Sequence, residues 1–292
     1  MDNSEVELKG ASQDAIQYHY DKGNNFYKLW LDENMVYSSA LWEEEDTLES
    51  AQIRKLDYHI QNAHAQNAKH ILDIGCGWGS LLERLTSHYN AESGVGLTLS
   101  QEQVNWVDNL QIPGIDTRLE NWQDHQAEKK YDAIISIGAF EHFAKQDLSE
   151  ADRIEGYRDF FRKCHEWLND GCYLSLQTIG CGNMTRDQFS EFFATEIFPE
   201  SDLPRLSEIC AASEHLFEIT SVRNDRLHYA KTLKQWLKRL RSHKAMVIDT
   251  YGLELYKRYE KYFQLAILSF EHFGTMDLYR IGFRRNKEPK VL

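Results

Sequence analysis

Residues 70–85 read HILDIGCGWGSLLERL. His70-Ile71-Leu72-Asp73-Ile74 is a short apolar run with the composition of a strand. It leads straight into Gly75-Cys76-Gly77-Trp78-Gly79. From Ser80 to Tyr89 the apolar residues then recur at helical spacing. Strand, glycine-rich turn and helix, in that order, open a βαβ unit. Glycine at such a turn permits positive φ and lets backbone approach a bound molecule closely.

The same rhythm continues on the C-terminal side. Gly94 to Thr98 reads as a second strand with a helix after it. Tyr131 to Ile137 is almost wholly apolar, which suits a parallel strand covered on both faces. Residues 157–168 look helical, and Cys172 to Ile179 forms another strand. After Ile179 the rhythm stops. Residues 185–215 read as helix and loop, broken near Pro199 and Pro204. An amphipathic helix is predicted from Thr232 to about Met246 and another from Leu253 to Phe273. Asp277 to Phe283 alternates like a strand. On the N-terminal side, residues 1–15 resemble a loose tail. Tyr18 to Leu31 is aromatic and helical in period, with a turn signal at Gly23-Asn24-Asn25. Asp46 or Thr47 caps a helix predicted over 47–66. No internal repeat is present. The expectation is one α/β domain with helical additions at its front and in its last third.

Composition narrows the function. With 33 Lys+Arg against 46 Asp+Glu, the net charge of −13 argues against a general nucleic-acid binder, which needs a basic face. No apolar run approaches the roughly 18–20 residues that span a bilayer. MDNSEVELKG is neither a secretory signal nor a basic transit peptide. The five cysteines contain no CxxC pair, so the expectation is a reduced, cytoplasmic chain without a metal site.

Asp73-x-Gly75-x-Gly77-x-Gly79 separates two ligand classes. A dinucleotide fingerprint reads GxGxxG, with an acidic residue roughly 20 positions later. Here the spacing is GxGxG and the acid precedes the first glycine, the pattern of S-adenosylmethionine methyltransferases. From this motif alone, a ligand-free tight turn and a dehydrogenase remain open alternatives.

Five segments carry a more specific resemblance. They are HYDKGNNFYKLWLDENMVYSSALW (19–42), ILDIGCGWGSLLERL (71–85), GVGLTLSQEQ (94–103), ISIGAFEHF (135–143) and LHYAKTLKQW (227–236). In this order and spacing the chain resembles the cyclopropane fatty acid synthase and mycolic acid cyclopropane synthase family of methyltransferases, from residue 16 to about 285. The resemblance implies a Rossmann-like class I methyltransferase fold. Its mostly parallel seven-stranded sheet would have helices on both faces. It divides the chain into an N-terminal helical cap (1–60), a cofactor-binding core (61–180), a helical lid (181–250), and a final helix and strand (251–292). S-adenosylmethionine is the implied cofactor. Tyr20, Tyr37 and Ser38 would close over it, Gly75 and Gly77 would line it, and Asp73 would stand behind the loop. Thr98 and Gln103 match the stretch that holds its ribose and methionine end, and Trp122 the indole beside adenine. Taken alone, without the motif around it, Trp122 reads as a core aromatic.

The resemblance also implies a bicarbonate general base, which removes a proton as a ring closes on the methylated alkene. The matching positions are Ser39, Ile137, Glu141, Gln177 and Tyr229. Ser39 stands where the family has Cys, and Gln177 where it has His. Gln cannot take up a proton or become a cation. That departure favours simple methyl transfer, foremost to oxygen, on a lipid-like or polyketide-like molecule, as in natural-product tailoring enzymes of the microcystin O-methyltransferase kind. The alternatives are a cyclopropane synthase acting on unsaturated acyl chains and a catalytically silent cofactor binder. Glu141 and Tyr229 are the expected catalytic pair, with His142, His19 and His228 as further candidate bases.

Lys231, Lys234, Lys238, Arg239, Arg241 and Lys244 cluster in this acidic chain. They form either a solvated helix face or, around Lys234 and Lys238, a docking face for an acidic carrier protein or membrane surface. Phe189, Phe192, Phe193, Phe198 and Tyr256 either fill a core or line an apolar pocket. Nothing in the sequence sets an oligomeric state.

Overall fold

The computed structural model describes residues 23–144, 148–188, 190–197 and 201–287. At its centre is β1 (Ile71–Ile74), four residues buried on both faces. It pairs in parallel with β2 (Gly94–Thr98) on one side and β4 (Tyr131–Ile137) on the other. With β3 (Ile115–Leu119), β5 (Leu168–Cys181), β6 (Phe217–Asn224) and β7 (Met276–Arg285), these make a seven-stranded sheet in the order β3-β2-β1-β4-β5-β7-β6. Only β7 runs against its neighbours, antiparallel to both β5 and β6.

The apolar runs become the inner strands because burial on both faces rewards unbroken Val, Ile and Leu. Two strands gave no such signal. β3 (IDTRL) and β6 (FEITSVRN) are the edges, partly exposed and rich in polar residues. The span 181–250, expected to be a helical lid, therefore contributes an edge strand to the sheet. It also holds α6 (Leu206–Ser213).

The helix ends follow their capping chemistry. α2 (Leu48–Asn62) begins at Thr47, whose side chain accepts from Ser50 N while Ser50 Oγ accepts from Thr47 N. The Gly23-Asn24-Asn25 turn signal marks the start of the short helix α1 (Asn24–Lys28), and Tyr18 to Lys22 lie outside the described residues. α3 (Ser80–His88) and α4 (Gln101–Leu110) follow β1 and β2. α5 (Glu150–Trp167) begins at an N-cap Ser149 and buries Phe160, Phe161 and Cys164 against the sheet. The helix expected over Thr232–Met246 is two helices, α7 (Arg226–Ser242) and α8 (Lys244–Tyr251), divided at His243. Among the described residues, no helix is long and apolar enough to cross a membrane.

α1, α7 and α9 (Leu253–Ile267) meet in one aromatic cluster that also takes in Cys181 of β5 and Met276 and Leu278 of β7. Trp30 is its hub, with ring centroids 5.5 Å from Trp236, 5.1 Å from Phe263 and 5.2 Å from Tyr37. Phe193 and Tyr256 are buried in it and Phe192 packs against it, so these three fill a core. Phe189 and Phe198 lie outside the described residues. Trp30→Ala is expected to cost about 3–5 kcal/mol of stability. A urea midpoint unchanged from wild type would contradict that.

Candidate active site

A cleft of about 980 Å³ opens at the C-terminal ends of β1, β2 and β4. Such a position suits a ligand at the switch point of an open α/β sheet. The glycine turn forms its floor. Gly75 and Cys76 both donate their backbone N–H to Leu97 O, at 2.9 and 3.0 Å. Gly75 has φ +83°, and a Cβ there would lie 2.7 Å from Ala139 Cβ. Gly77 has φ +56° and open space where a Cβ would point.

All expected cofactor residues that lie among the described ones line this cleft: Tyr37, Ser38, Asp73, Gly75, Gly77, Thr98, Gln103, Trp122 and Ile137. Tyr20 and His19 lie outside the described residues. Thr98 Oγ1 donates to Gln103 Oε1 at 2.6 Å, which fixes that amide beside the cleft. Trp122 has both roles weighed from sequence: it packs edge-on against Phe160 in the core and also lines the cleft. Burial pushes the Asp73 carboxyl up to about 7, opposed by the positive charge of Lys55.

A smaller cavity of about 380 Å³ adjoins the cleft and shares Tyr37, Ser38, Gly138 and His142 with it. Ser39, Glu141, Gln177 and Tyr229 also line it, so residues from four parts of the chain converge there. Glu141 sits in a short turn after β4. Its Oε2 accepts from Thr178 Oγ1 at 3.0 Å, and burial pushes its carboxyl up to about 7. His142 is pushed down to about 4 by burial alone, and its Nδ1 lies 2.6 Å from Ser201 Oγ. It is therefore neutral at pH 7 and a weak base. Tyr229 comes from the first turns of α7. Tyr262 on α9 hydrogen-bonds the side chains of both Tyr37 and Tyr229, joining two residues of the smaller cavity's wall. His228 lines neither cavity; its Nδ1 accepts from Trp42 N at 2.9 Å, a structural role.

Sequence reasoning missed the layer behind these walls. Gln52, Lys55 and His59 are buried on the inner face of α2. Gln52 Nε2 donates to the carbonyls of Val36 and Ser38, at 3.2 and 2.9 Å. Lys55 Nζ donates to Ser38 Oγ at 2.9 Å, and desolvation pulls its ammonium down to about 7. His59 reaches Ser175 and Gln177. Arg280 on β7 is wholly buried, paired with Asp225, and donates to the carbonyls of Ser39 and Ala40. A signal was available on α2: three polar residues at helical spacing on an otherwise apolar stripe.

The basic helix looks less like a docking face in three dimensions. Lys234 pairs with Glu271, Arg239 with Glu49 and Arg241 with Glu260. Lys231 lies over the Trp42 ring and Lys244 over Tyr256. Most of the cluster is thus engaged within the chain, as a solvated helix face requires.

Comparison with known proteins agrees with this geometry. The family profile of mycolic acid cyclopropane synthetase matches residues 8–281. Cyclopropane mycolic acid synthase 2 of Mycobacterium leprae is 34% identical over 289 residues, covering 91% of this chain and 89% of that protein. Cyclopropane mycolic acid synthase MmaA2 of Mycobacterium tuberculosis is 36% identical over 290 residues, covering 92% and 93%. The crystal structure of mycolic acid cyclopropane synthase CmaA1 complexed with SAH and CTAB superposes with a TM-score of 0.85 at 32% identity, covering 94% of this chain and 99% of that one. The fold is that of the class I methyltransferases, and the chain belongs to the mycolic acid cyclopropane synthetase family of S-adenosylmethionine-dependent enzymes.

Proposed function

We propose that this enzyme adds a one-carbon unit from S-adenosylmethionine across the double bond of an unsaturated acyl chain and closes a cyclopropane ring. The observation that carries the reading is the smaller cavity. It abuts the cofactor cleft and gathers Glu141, Gln177, Tyr229 and Ser39 around a small polar-lined space. Hydroxyl methylation and ring closure both release a proton; in ring closure it leaves the transferred carbon, and the smaller cavity beside the larger cleft is placed to receive it.

When bound, S-adenosylmethionine would supply an electrophilic methyl group, and a small oxyanion such as bicarbonate would supply the base. The chain's own residues fit both. Asp73 and Lys55, of opposite charge on the cleft wall, complement the ammonium and carboxylate of a methionine end. Trp122 offers an aromatic surface to an adenine. In the smaller cavity the Tyr229 hydroxyl and the Gln177 amide can donate to an oxyanion. Glu141, with its carboxyl near 7, can accept or release a proton at neutral pH. The names of the relatives support ring formation over the tailoring of a hydroxyl that Gln177 suggested from sequence. The CTAB held by CmaA1 carries a long alkyl chain, in keeping with an acyl substrate.

The test is product mass spectrometry with labelled S-adenosylmethionine, offering unsaturated phospholipids beside hydroxylated polyketide-like compounds. Gain of one CH₂ on a lipid with loss of its alkene signal is the expected result. Gain of one CH₂ on a hydroxyl, with the lipids untouched, overturns the proposal.

A further inference from the structure

Gln177 stands where the resemblance implies a histidine, and its surroundings determine which way its amide faces. Arg280 Nε lies 3.0 Å from Gln177 Oε1. A guanidinium nitrogen can only donate, and a carboxamide oxygen can only accept. His59 Nε2 lies 3.4 Å from the same oxygen. It therefore carries the ring proton, and His59 Nδ1 accepts from Ser175 Oγ at 2.8 Å. Ser175 Oγ in turn accepts from Asn62 Nδ2 at 2.9 Å. Every proton in this chain of contacts has one consistent place. The opposite amide orientation would set an NH₂ group against the Arg280 Nε–H, which can only donate.

Gln177 is 1% exposed and lines the smaller cavity, so the end of its side chain not held by Arg280 and His59 belongs to that cavity. Arg280 is tied down in its own right. It pairs with Asp225 and donates to Ala40 O at 3.0 Å and Ser39 O at 3.2 Å. One guanidinium thus aligns the side chain of Gln177, the Ser39-Ala40 turn, and the start of the helix that carries Tyr229.

We propose that His59 and Arg280 are positioning residues that lock the Gln177 amide with its nitrogen facing the smaller cavity, so that a neutral amide donates to the bound oxyanion in place of the family's imidazole. The proposal rests on the smaller cavity being the oxyanion site put forward above.

The test is a double-mutant cycle read by binding rather than turnover. [¹³C]Bicarbonate is titrated into the full chain and followed by NMR, and S-adenosylhomocysteine is titrated by calorimetry as a check on folding, because neither positioning residue lines the larger cleft. His59→Ala and Gln177→Met should each weaken bicarbonate binding about tenfold, the loss of one well-placed donor. S-adenosylhomocysteine affinity should stay within about twofold. The double variant should bind bicarbonate no worse than Gln177→Met alone, since His59 acts only through Gln177. Arg280→Lys, which keeps the charge but not the fork of donors, gives a second cycle in which only part of the loss should vanish in the Gln177→Met background, because Arg280 also holds the Ser39-Ala40 turn. Additive losses in both cycles, or full binding in His59→Ala, overturn the positioning role and leave the oxyanion site standing. Absence of saturable bicarbonate binding in the wild type overturns the oxyanion site and the positioning role with it.

Discussion

Glu141→Gln is expected to lower kcat by about 10³-fold, within the range for removal of a positioned acid–base group, while S-adenosylhomocysteine still binds within about twofold. The carboxyl lines only the smaller cavity, so the cofactor cleft keeps its walls. The same substitution has an opposite effect on stability. Burial raises the Glu141 carboxyl from 4.5 to about 7, so the native state holds its proton more tightly than the unfolded chain does. The stabilisation is complete below the unfolded pKa and is lost as pH climbs through the folded one. A glutamine at this position never ionises. The variant should therefore unfold at higher urea than wild type at about pH 8 and at the same urea at about pH 4. The expected difference at the higher pH is about 3 kcal/mol. Retained turnover would remove Glu141 from the reaction. Equal midpoints at both pH values would remove the cost of burying its charge.

Gly75→Val should weaken S-adenosylhomocysteine binding by about 10²-fold or more, from the combined penalties of left-handed backbone and a forced shift of the loop. At φ +83° a branched side chain is strained, and its Cβ would sit 2.7 Å from Ala139 Cβ, on the turn that carries the opposite wall of the cleft. Either the glycine turn or the segment after β4 must move. Gly171→Ala is the control. It also sits at positive φ, +74°, but a Cβ there meets nothing within 4 Å and Gly171 does not line the cleft. Calorimetry should find its affinity within about twofold of wild type. Comparable losses in both variants would mean that general strain, rather than the close approach at Gly75, sets the affinity.

The parts of this fold that are buried on two faces were readable, because there the code is simple: mostly apolar runs for β1, β2 and β4, and a glycine turn between β1 and its helix. The edges were not. β3 needs only one good face, so Asp116 and Arg118 break its pattern without harming it. β6 lay hidden in a stretch whose neighbours on both sides are helices. The site shows the same division. Residues that touch the cavities belong to short contiguous motifs, and Gly75, Glu141 and Tyr229 could be found by them. Residues that hold those in place are scattered, and their polarity conflicts with local pattern. Lys55 and His59 occupy core positions of an amphipathic helix, and Arg280 interrupts the apolar alternation of a central strand. His59 and Arg280 make sense only beside Gln177, more than a hundred positions away from either, and Lys55 only beside Ser38 in the loop before its helix.

The place of β7 has a consequence for how the molecule comes into being. The chain threads β6 before β7, yet β7 lies between β5 and β6, joined to each by its hydrogen bonds. Until residues 276–285 have left the ribosome, β5 has an open edge and β6 has no place in the sheet. The larger cleft, lined wholly by residues between Met35 and Phe143, can be walled without β7. The smaller cavity cannot, because Leu278 forms part of its wall and Arg280 braces the rest. The larger cleft thus draws its walls from residues that precede β5, whereas the smaller cavity is complete only when the last strand of the chain is in place.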